Sequence, residues 1–333
     1  AGGSKLQVKG VEKKQRRRNP PAPFITSTLQ QEAVRKLGFT AQRTMRVAQQ
    51  LYEGVALGSE TVGLITYMRT DSVNLAAEGV REIRELIKQR YGEENLPEDP
   101  QVYKNKSKNA QEAHEGIRPT SAQRTPDQVK HFLKPDQLRL YELIWKRTIA
   151  CQMIHATLDT VAIDLEAGPG NVFRATGSTV INPGFMTVYQ EGRDDAGGED
   201  DQSFLPALAK GEQVKLKKIH GEQHFTEPPP RYTEASLVKA LEAYGIGRPS
   251  TYASIIYTLV QREYVTLEKR RFSPTDVGRV VNKFLSEHFH DYVDYEFTAR
   301  LEDDLDAISR GEKAWQPLLK DFWRDFKGQV DAK

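Results

Sequence analysis

The chain has 333 residues and a formal net charge of +2, with 38% hydrophobic and 28% charged residues. This length predicts two or three domains, and the composition is typical of a polar globular protein. The single cysteine, Cys151, excludes a disulfide framework and a zinc site made from cysteines of this chain. We expect a cytoplasmic location and no membrane partner, because no apolar run approaches roughly 18 residues and no signal-peptide pattern opens the chain.

Basic residues are concentrated at the start of the chain. Residues 1–26 carry seven Lys or Arg against one Glu, whereas residues 194–201 carry five acids among glycines. Such a basic block is either a solvated linker or a contact for phosphates. The second interpretation favours nucleic acid as the partner.

Apolar residues at helical spacing predict a mostly helical domain over residues 27–152. Its first three helices begin at the capping residues Thr28, Thr40 and Asn74. The expected elements are a short buried strand over 63–66 and helices over 28–37, 40–54, 74–91, 127–131 and 136–155.

The period changes after this domain. Alternation with β-branched residues predicts strands over 157–165, 172–180, 185–190 and 213–219. They are too few for a large independent sheet, so we expect the basic segment to join them. The prediction is one β-rich domain made of residues 1–26 and 153–225.

A third domain is predicted over residues 226–333, after a stiff run of prolines. Thr233 and Ser250 are expected to cap two helices, and residues 264–272 can pair as a hairpin, an arrangement typical of a winged helix. Further helices are expected over 275–289, 298–309 and 315–326. The predicted fold class is mixed α and β, multidomain, with mostly helical domains joined by a β-rich one.

The segment 62–72 carries the clearest candidate chemistry. Tyr67 supplies a hydroxyl that can attack phosphorus, and Arg69 supplies a planar fork of donors that matches phosphate oxygens. The hydroxyls and amides that follow can hold the remaining oxygens, which makes DNA-binding candidates of Thr70, Asp71 and Ser72. The alternative is a core tyrosine at a strand end beside an Arg69–Asp71 pair.

His114 lies in a second polar stretch, residues 111–119. A lone histidine is more often structural than catalytic, but Glu112, Glu115 and Arg118 crowd this one, which is costly unless they face a polar cleft. We interpret His114 as a catalytic hydrogen-bonding or electrostatic group. Arg118 is either structural or phosphate-facing.

A third polar cluster surrounds the start of the second predicted winged-helix element. Helix-start amides and hydroxyls suit phosphates, and a tyrosine there can stack on a base. The alternative is an ordinary helix cap followed by a core tyrosine. The DNA-binding candidates are Arg231, Arg248, Ser250, Thr251 and Tyr252.

An acidic run in the last domain suggests a metal site at first sight. The favoured interpretation is the solvated face of a helix whose Leu301, Leu305 and Ile308 point inward. We therefore expect no metal bound by this run, which comprises Glu302, Asp303, Asp304 and Asp306.

Four stretches together resemble the signatures of one family. They are Phe24 to Gln31, Ile65 to Ser72, Gln111 to Pro119, and Pro228 to Ala253. In this order they resemble the type IA DNA topoisomerases, which are isomerases. The resemblance extends over most of the chain.

The resemblance implies a mechanism and an architecture. Tyr67 would form a link to the 5′ phosphate of a single DNA strand, with Arg69 on the scissile phosphate and His114 beside both. The parent enzyme would relax negatively supercoiled DNA by cleavage, strand passage and religation. The β-rich domain would be the hinge of a toroidal core, and the helical domain its gate.

Two features of the family have no counterpart in the sequence. Mg²⁺ in the family is held by an N-terminal Toprim domain, and many members carry a zinc-finger tail. We therefore expect a core fragment that holds no metal of its own, binds DNA and does not cleave it alone. No phosphate-binding Gly-x-x-x-x-Gly-Lys loop occurs, which fits an enzyme without a nucleotide cofactor. The expected location is the bacterial cytoplasm, at the nucleoid.

Two other hypotheses remain at this point. A tyrosine recombinase would place His-x-x-Arg before a tyrosine near its end, whereas here Tyr67 precedes His114 and the spacing is His-x-x-x-Arg. A non-enzymatic winged-helix DNA-binding protein would need no role for Tyr67.

Overall fold

The computed structural model describes residues 5–105, 114–194 and 205–332. Glu112 and most of the acidic run at 194–201 lie outside these ranges. The chain divides into two compact units. The first comprises Ala1–Pro21, Arg84–Gln101 and Ile149–Pro229, and the second comprises Ala22–Ile83, Val102–Thr148 and Pro230–Lys333.

The first unit is built on an antiparallel sheet in the order β5-β4-β1-β6. The basic segment forms β1, which pairs with β4 from Gln7 to Arg18 with one register shift after Val8. Leu6, Val8 and Ile163 supply buried side chains of this sheet. The strands are β1 Lys5–Arg18, β4 Ala156–Glu166, β5 Val172–Asn182 and β6 Gln213–Lys215.

The strand predicted over 185–190 is wrong. A 3₁₀ helix, Gly184–Thr187, follows β5 instead. Gly184 has φ of +46°, its N–H donates to the Asn182 side chain at 2.9 Å, and a Cβ there would lie 2.4 Å from the carbonyl oxygen of His155. The chain turns here because only glycine tolerates both this φ and this close approach.

The first half of the second unit is mostly helical, as predicted. Thr40 caps α2 by accepting the Arg43 N–H at 3.1 Å, and the first helix ends in a π-helical turn, Ala33–Leu37, at Gly38 with φ of +67°. Between Thr26 and Ala150 the elements are α1 Thr26–Glu32, α2 Ala41–Glu53, β2 Val55–Leu57, β3 Glu60–Val62, α3 Ala77–Tyr91, α4 Pro126–Val129 and α5 Pro135–Ala150; α3 from Arg84 onward and the last two residues of α5 are assigned to the first unit.

Several predictions in this half are wrong, and the helix predicted to run to residue 155 ends at Ala150. The hydroxyl of Thr28 accepts the N–H of Ile25, so the first helix begins before the predicted cap. The carbonyl of Asn74 accepts the Gly116 N–H, and α3 begins three residues later. Residues 63–66 do not form the predicted strand: Ile65 makes an isolated bridge to Pro119, and Ile117, two residues before Pro119, bridges to Phe24.

The second half of this unit confirms the predicted pair of helices with a hairpin. Thr233 and Thr275 cap their helices by accepting the Ser236 and Gly278 N–H groups at 3.0 Å. The elements are α6 Glu234–Ala243, α7 Tyr252–Gln261, β7 Val265–Glu268, β8 Arg271–Pro274, α8 Asp276–His288, α9 His290–Val293, α10 Tyr295–Ser309 and α11 Trp315–Asp331. Ser250 is not a cap: α7 begins after Thr251, whose hydroxyl accepts the Arg248 N–H at 2.8 Å.

Among the described residues, no helix combines the length and the apolarity needed to cross a bilayer.

Candidate functional site

Tyr67 lies at the surface of the second unit. The preceding backbone is fixed by two hydrogen bonds, from Leu64 N–H to Leu51 at 2.7 Å and from Thr66 N–H to Arg118 at 2.9 Å. The neighbouring side chains of Leu64, Ile65 and Met68 are buried, whereas Tyr67 is 37% exposed. The Tyr67 side chain is therefore accessible from the surface, and the core-tyrosine interpretation is wrong.

Two aromatic rings flank the Tyr67 ring. The centroid of the Tyr52 ring lies 5.4 Å from that of Tyr67, and the centroid of the His114 ring lies 5.7 Å from it. Both contacts are edge-to-face, with interplanar angles of 66° and 62°. Edge-to-face contacts are favoured by the quadrupoles of the rings, and they engage the ring of Tyr67 and not its hydroxyl. The predicted proximity of Tyr67 and His114 is thus present in the structure.

Arg69 is exposed, and its side chain makes no hydrogen bond or ion pair with any described residue. The Arg69–Asp71 pair of the alternative interpretation is therefore absent from the described part of the chain. Asp71 is half-buried. Burial raises the pKa of the Asp71 carboxyl and Asp306 raises it further, against its own backbone N–H, His114 and Arg248.

Thr70 and Ser72 do not offer their hydroxyls to a ligand. Both side chains are buried. The Thr70 hydroxyl accepts the Ser72 N–H at 3.0 Å, and the Ser72 hydroxyl accepts the Asn74 N–H at 3.3 Å. These local side-chain-to-backbone bonds shape the turn, and they correct the expectation that both hydroxyls hold phosphate oxygens.

The Arg118 side chain is held by contacts within the protein. Its guanidinium makes a bidentate pair with Glu115 at 2.8 and 3.1 Å and donates to the Pro119 carbonyl at 3.0 Å. It also packs over α3, where a Cβ on Gly79 would lie 2.9 Å from its Cζ. Glu115 in turn accepts the Ala76 N–H at 3.2 Å. The structural alternative for Arg118 is the one the structure supports.

Arg248 is held by the acidic run of α10. Its Nη2 lies 2.8 Å from Asp306, 3.4 Å from Asp303, and its Nε lies 3.9 Å from Glu302. The guanidinium also donates to the carbonyls of Gly245 and Gly247. Arg248 is therefore engaged within the protein, contrary to the expected phosphate contact.

The acidic residues of α10 do not form the solvated face that the sequence predicted. Glu302 and Asp306 are half-buried against Arg248, and Asp304 pairs with Lys313 at 2.5 Å. Leu305, expected to point inward, is exposed, and Ala307 is the buried residue of this helix. Leu301 and Ile308, the other two residues expected to point inward, are half-buried, and so are Glu302 and Asp306, which pair with Arg248.

Tyr252 belongs to the core and is not a stacking platform. It is packed in a buried cluster with Ala41, Val238, Ile256 and Phe272. Burial raises the pKa of its phenol. Arg231 and Ser250 remain exposed, and Thr251 is half-buried.

The described residues contain no group of three or more His, Cys, Asp or Glu side chains arranged to hold a metal ion. The densest acidic group, on α10, is already occupied by the Arg248 guanidinium.

Sequence analysis missed three residues of the site. Thr26 donates to and accepts from the backbone around Arg69, and Thr66 bonds the backbone around Ile117. Tyr52 contacts the Tyr67 ring. The stretch from Phe24 to Gln31 was a signal for Thr26, but it indicated no partner for the hydroxyl.

The family model described as DNA topoisomerase matches residues 2–320. The chain belongs to this family. DNA topoisomerase 1 of Xylella fastidiosa (strain Temecula1) is 62% identical over the whole chain, and that of Rickettsia felis is 53% identical over 98% of it. The solved structure of full-length topoisomerase I from Thermotoga maritima matches with a TM-score of 0.85 and 39% identity, over 98% of this chain and 52% of that one.

These matches confirm the resemblance to type IA topoisomerases and the mixed α and β fold class. They support the interpretation as part of a topoisomerase over the non-enzymatic DNA-binding alternative, and they argue against the recombinase hypothesis. The chain spans about 41% and 42% of the length of the two curated topoisomerases named above.

Proposed function

We propose that this chain supplies the nucleophilic part of the cleavage site of a type IA DNA topoisomerase that relaxes negatively supercoiled DNA without ATP. The observation that carries the proposal is the exposed Tyr67 ring in contact with His114, with Arg69, which has no ion-pair partner among the described residues, two positions away. The proposed substrate is a single DNA strand, which is what the resemblance to type IA topoisomerases implies; the exposed phenol itself is accessible to any phosphate backbone.

The chemical step exchanges one phosphate ester for another. The Tyr67 oxygen attacks phosphorus, its proton passes to a base, and the bond from phosphorus to the 3′ oxygen breaks. The 3′ oxygen takes up a proton, and the 5′ phosphate stays on Tyr67. Religation reverses these steps, so no nucleotide energy source is needed.

Arg69 offsets the charge that develops on phosphorus. Its guanidinium has no ionic partner among the described residues, so no existing pair must break when a phosphate arrives. Charge-assisted bonds from guanidinium to phosphate are among the strongest available to a protein. His114 contributes a hydrogen bond or charge beside the phenol.

The remaining DNA contacts and the domain roles are also proposals. The exposed Arg231 precedes α6, and the exposed Ser250 lies between α6 and α7; with the hairpin these helices form a winged-helix-like arrangement, which suits a strand backbone. Residues 27–152 are the gate, 1–26 with 153–225 the hinge, and 226–333 the DNA-binding domain of a toroidal core.

We propose that Mg²⁺ is held outside this chain, in a Toprim domain of the parent enzyme. The described residues offer no group of three or more His, Cys, Asp or Glu side chains that could hold such an ion, and the carboxylates of α10 pair with Arg248. The isolated chain then binds DNA without cleaving it.

Trapping of covalent adducts tests the proposal. The intact protein that contains this chain, as wild type and as Tyr67→Phe, is mixed with an end-labelled single strand and Mg²⁺ and quenched with denaturant. We expect an adduct on the 5′ phosphate for wild type and none for Tyr67→Phe. Tyr295→Phe is the matched control, since it removes an exposed phenol of α10. Equal trapping by wild type and Tyr67→Phe refutes the assignment.

A further inference from the structure

We infer that Thr26 is a positioning residue of the cleavage site, acting through its hydroxyl on the turn that carries Tyr67 and Arg69. The inference rests on the proposed function. Thr26 contacts neither the phenol nor the guanidinium. It fixes the backbone between and after them.

The Thr26 hydroxyl contacts the backbone on both sides of Arg69. It lies 2.7 Å from the Met68 carbonyl and 3.1 Å from the Thr70 carbonyl, and it accepts the Thr70 N–H at 2.9 Å. The Thr26 N–H donates to the Thr70 carbonyl at 2.9 Å. Thr26 is fully buried, so no water substitutes for these bonds. Arg69 is thus the exposed residue of a turn whose two ends are held by one side chain.

The same stretch also holds the segment that carries His114. Phe24, two residues before Thr26, accepts the Ile117 N–H at 2.8 Å. The Thr66 hydroxyl joins the Tyr67 segment to the His114 segment. It donates to the Gly116 carbonyl at 2.9 Å and accepts the Arg118 N–H at 3.0 Å. The position of Tyr67 relative to His114 is therefore set by hydrogen bonds among three segments, and Thr26 is the side chain that fixes the Arg69 side.

Two substitutions distinguish the packing of the Thr26 side chain from the hydrogen bonding of its hydroxyl. Thr26→Val keeps the β-branched shape and removes the hydroxyl, which leaves the buried Thr70 N–H without this acceptor. Thr26→Ser keeps the hydroxyl and removes a buried methyl group. If Thr26 acts by positioning, Thr26→Ser should cleave normally and Thr26→Val should cleave slowly. If it acts by packing, Thr26→Val should cleave better than Thr26→Ser.

Thr44 provides the matched control. It is fully buried in the same unit, and its hydroxyl donates only to the Thr40 carbonyl at 2.9 Å, within α2. Thr44→Val makes the same isosteric change away from the site. It should cleave at the wild-type rate.

The experiment measures single-turnover cleavage and strand binding on the intact protein that contains this chain. Misplacement of a reacting group by about 1 Å can cost about 10²-fold in rate, so Thr26→Val should cleave about 10- to 100-fold more slowly. Its strand affinity should stay within about twofold, because Arg69 remains exposed. Thr26→Ser should stay within about threefold of wild type in both measurements.

Amide hydrogen exchange supplies a readout independent of cleavage. The Thr70 amide should exchange faster in Thr26→Val, while the Ile117 amide, bonded to Phe24, keeps its protection. Where Thr26→Val does not fold, Thr26→Ser decides, because it must retain both Thr70 protection and the cleavage rate.

Three results overturn the inference: wild-type cleavage by Thr26→Val, equal losses in Ser and Val, or a loss of strand affinity that matches the loss of rate. Failure of the proposed function looks different, because Tyr67→Phe would then trap as much adduct as wild type.

Discussion

Replacing Arg248 with glutamine tests whether this side chain stabilises the fold or binds a DNA phosphate. Its guanidinium donates to Asp306 through two nitrogens, at 2.8 and 3.2 Å, and to the carbonyls of Gly245 and Gly247 at 3.2 and 2.9 Å. Glutamine keeps a donor but loses the charge and the fork.

The expected cost follows from the burial of the pair. Breaking a fully buried ion pair costs about 3–5 kcal/mol, whereas an exposed pair contributes about 0–1 kcal/mol. The Arg248 side chain is 25% exposed and that of Asp306 26%, so solvent screens part of the interaction. We expect a loss of about 2 kcal/mol for Arg248→Gln, which corresponds to a Tm lower by about 4–8 °C in a unit of this size.

A double-mutant cycle with Asp306→Asn isolates the pair. The coupling free energy should be about 1 kcal/mol, less than the cost of Arg248→Gln, because Arg248 keeps Asp303 and Glu302 as partners when Asp306 is replaced. Thermal unfolding of the four proteins by circular dichroism gives the cycle, and fluorescence anisotropy with a labelled single strand gives DNA affinity. A wild-type Tm together with a tenfold loss of affinity in Arg248→Gln would refute the reasoning, because Arg248 would then be a DNA contact.

Three further changes test other parts of the structure. Glu234 is buried and accepts the Ala41 N–H at 2.7 Å, and burial raises the pKa of its carboxyl above the ordinary 4.5. The native state therefore loses stability as pH rises from that value through the raised pKa, and Glu234→Gln should remove this dependence in thermal unfolding from about pH 4 to about pH 8. Arg69→Lys should slow cleavage about tenfold and weaken strand binding less, and equal losses in both assays would make Arg69 only an anchor. Gly278→Ala should lower stability by about 1–3 kcal/mol in thermal unfolding, because its Cβ would lie 2.1 Å from the Tyr264 carbonyl oxygen.

The elements predicted best are those specified by local chemistry. Thr40, Thr233 and Thr275 each cap the helix that the sequence assigns to them, because a cap needs only the next three residues. Gly38 ends the first helix for an equally local reason, its left-handed φ. Local signals therefore account for most helix positions in the second unit.

The failures depend on partners distant in sequence. Nothing near Arg248 in sequence indicates that α10, more than fifty residues later, supplies its carboxylates. Nothing near Thr70 indicates that its amide bonds Thr26, 44 positions earlier. In both cases the residue type and the local structure were foreseen, and the partner was not.

The same distinction limits what the candidate site can do by itself. The turn after Tyr67 uses the hydroxyls of Thr70 and Ser72 to hold its own backbone, so of its polar side chains Arg69 is the one that is exposed. A phosphorus with five oxygens carries about one more negative charge than the phosphodiester, and one guanidinium offsets only part of it. Under the proposed function, the turn would supply the nucleophile and its orientation, and Arg69 with His114 would offset part of that charge. In that case the rate of cleavage would depend strongly on the placement of Arg69, which is the property that the Thr26 variants measure.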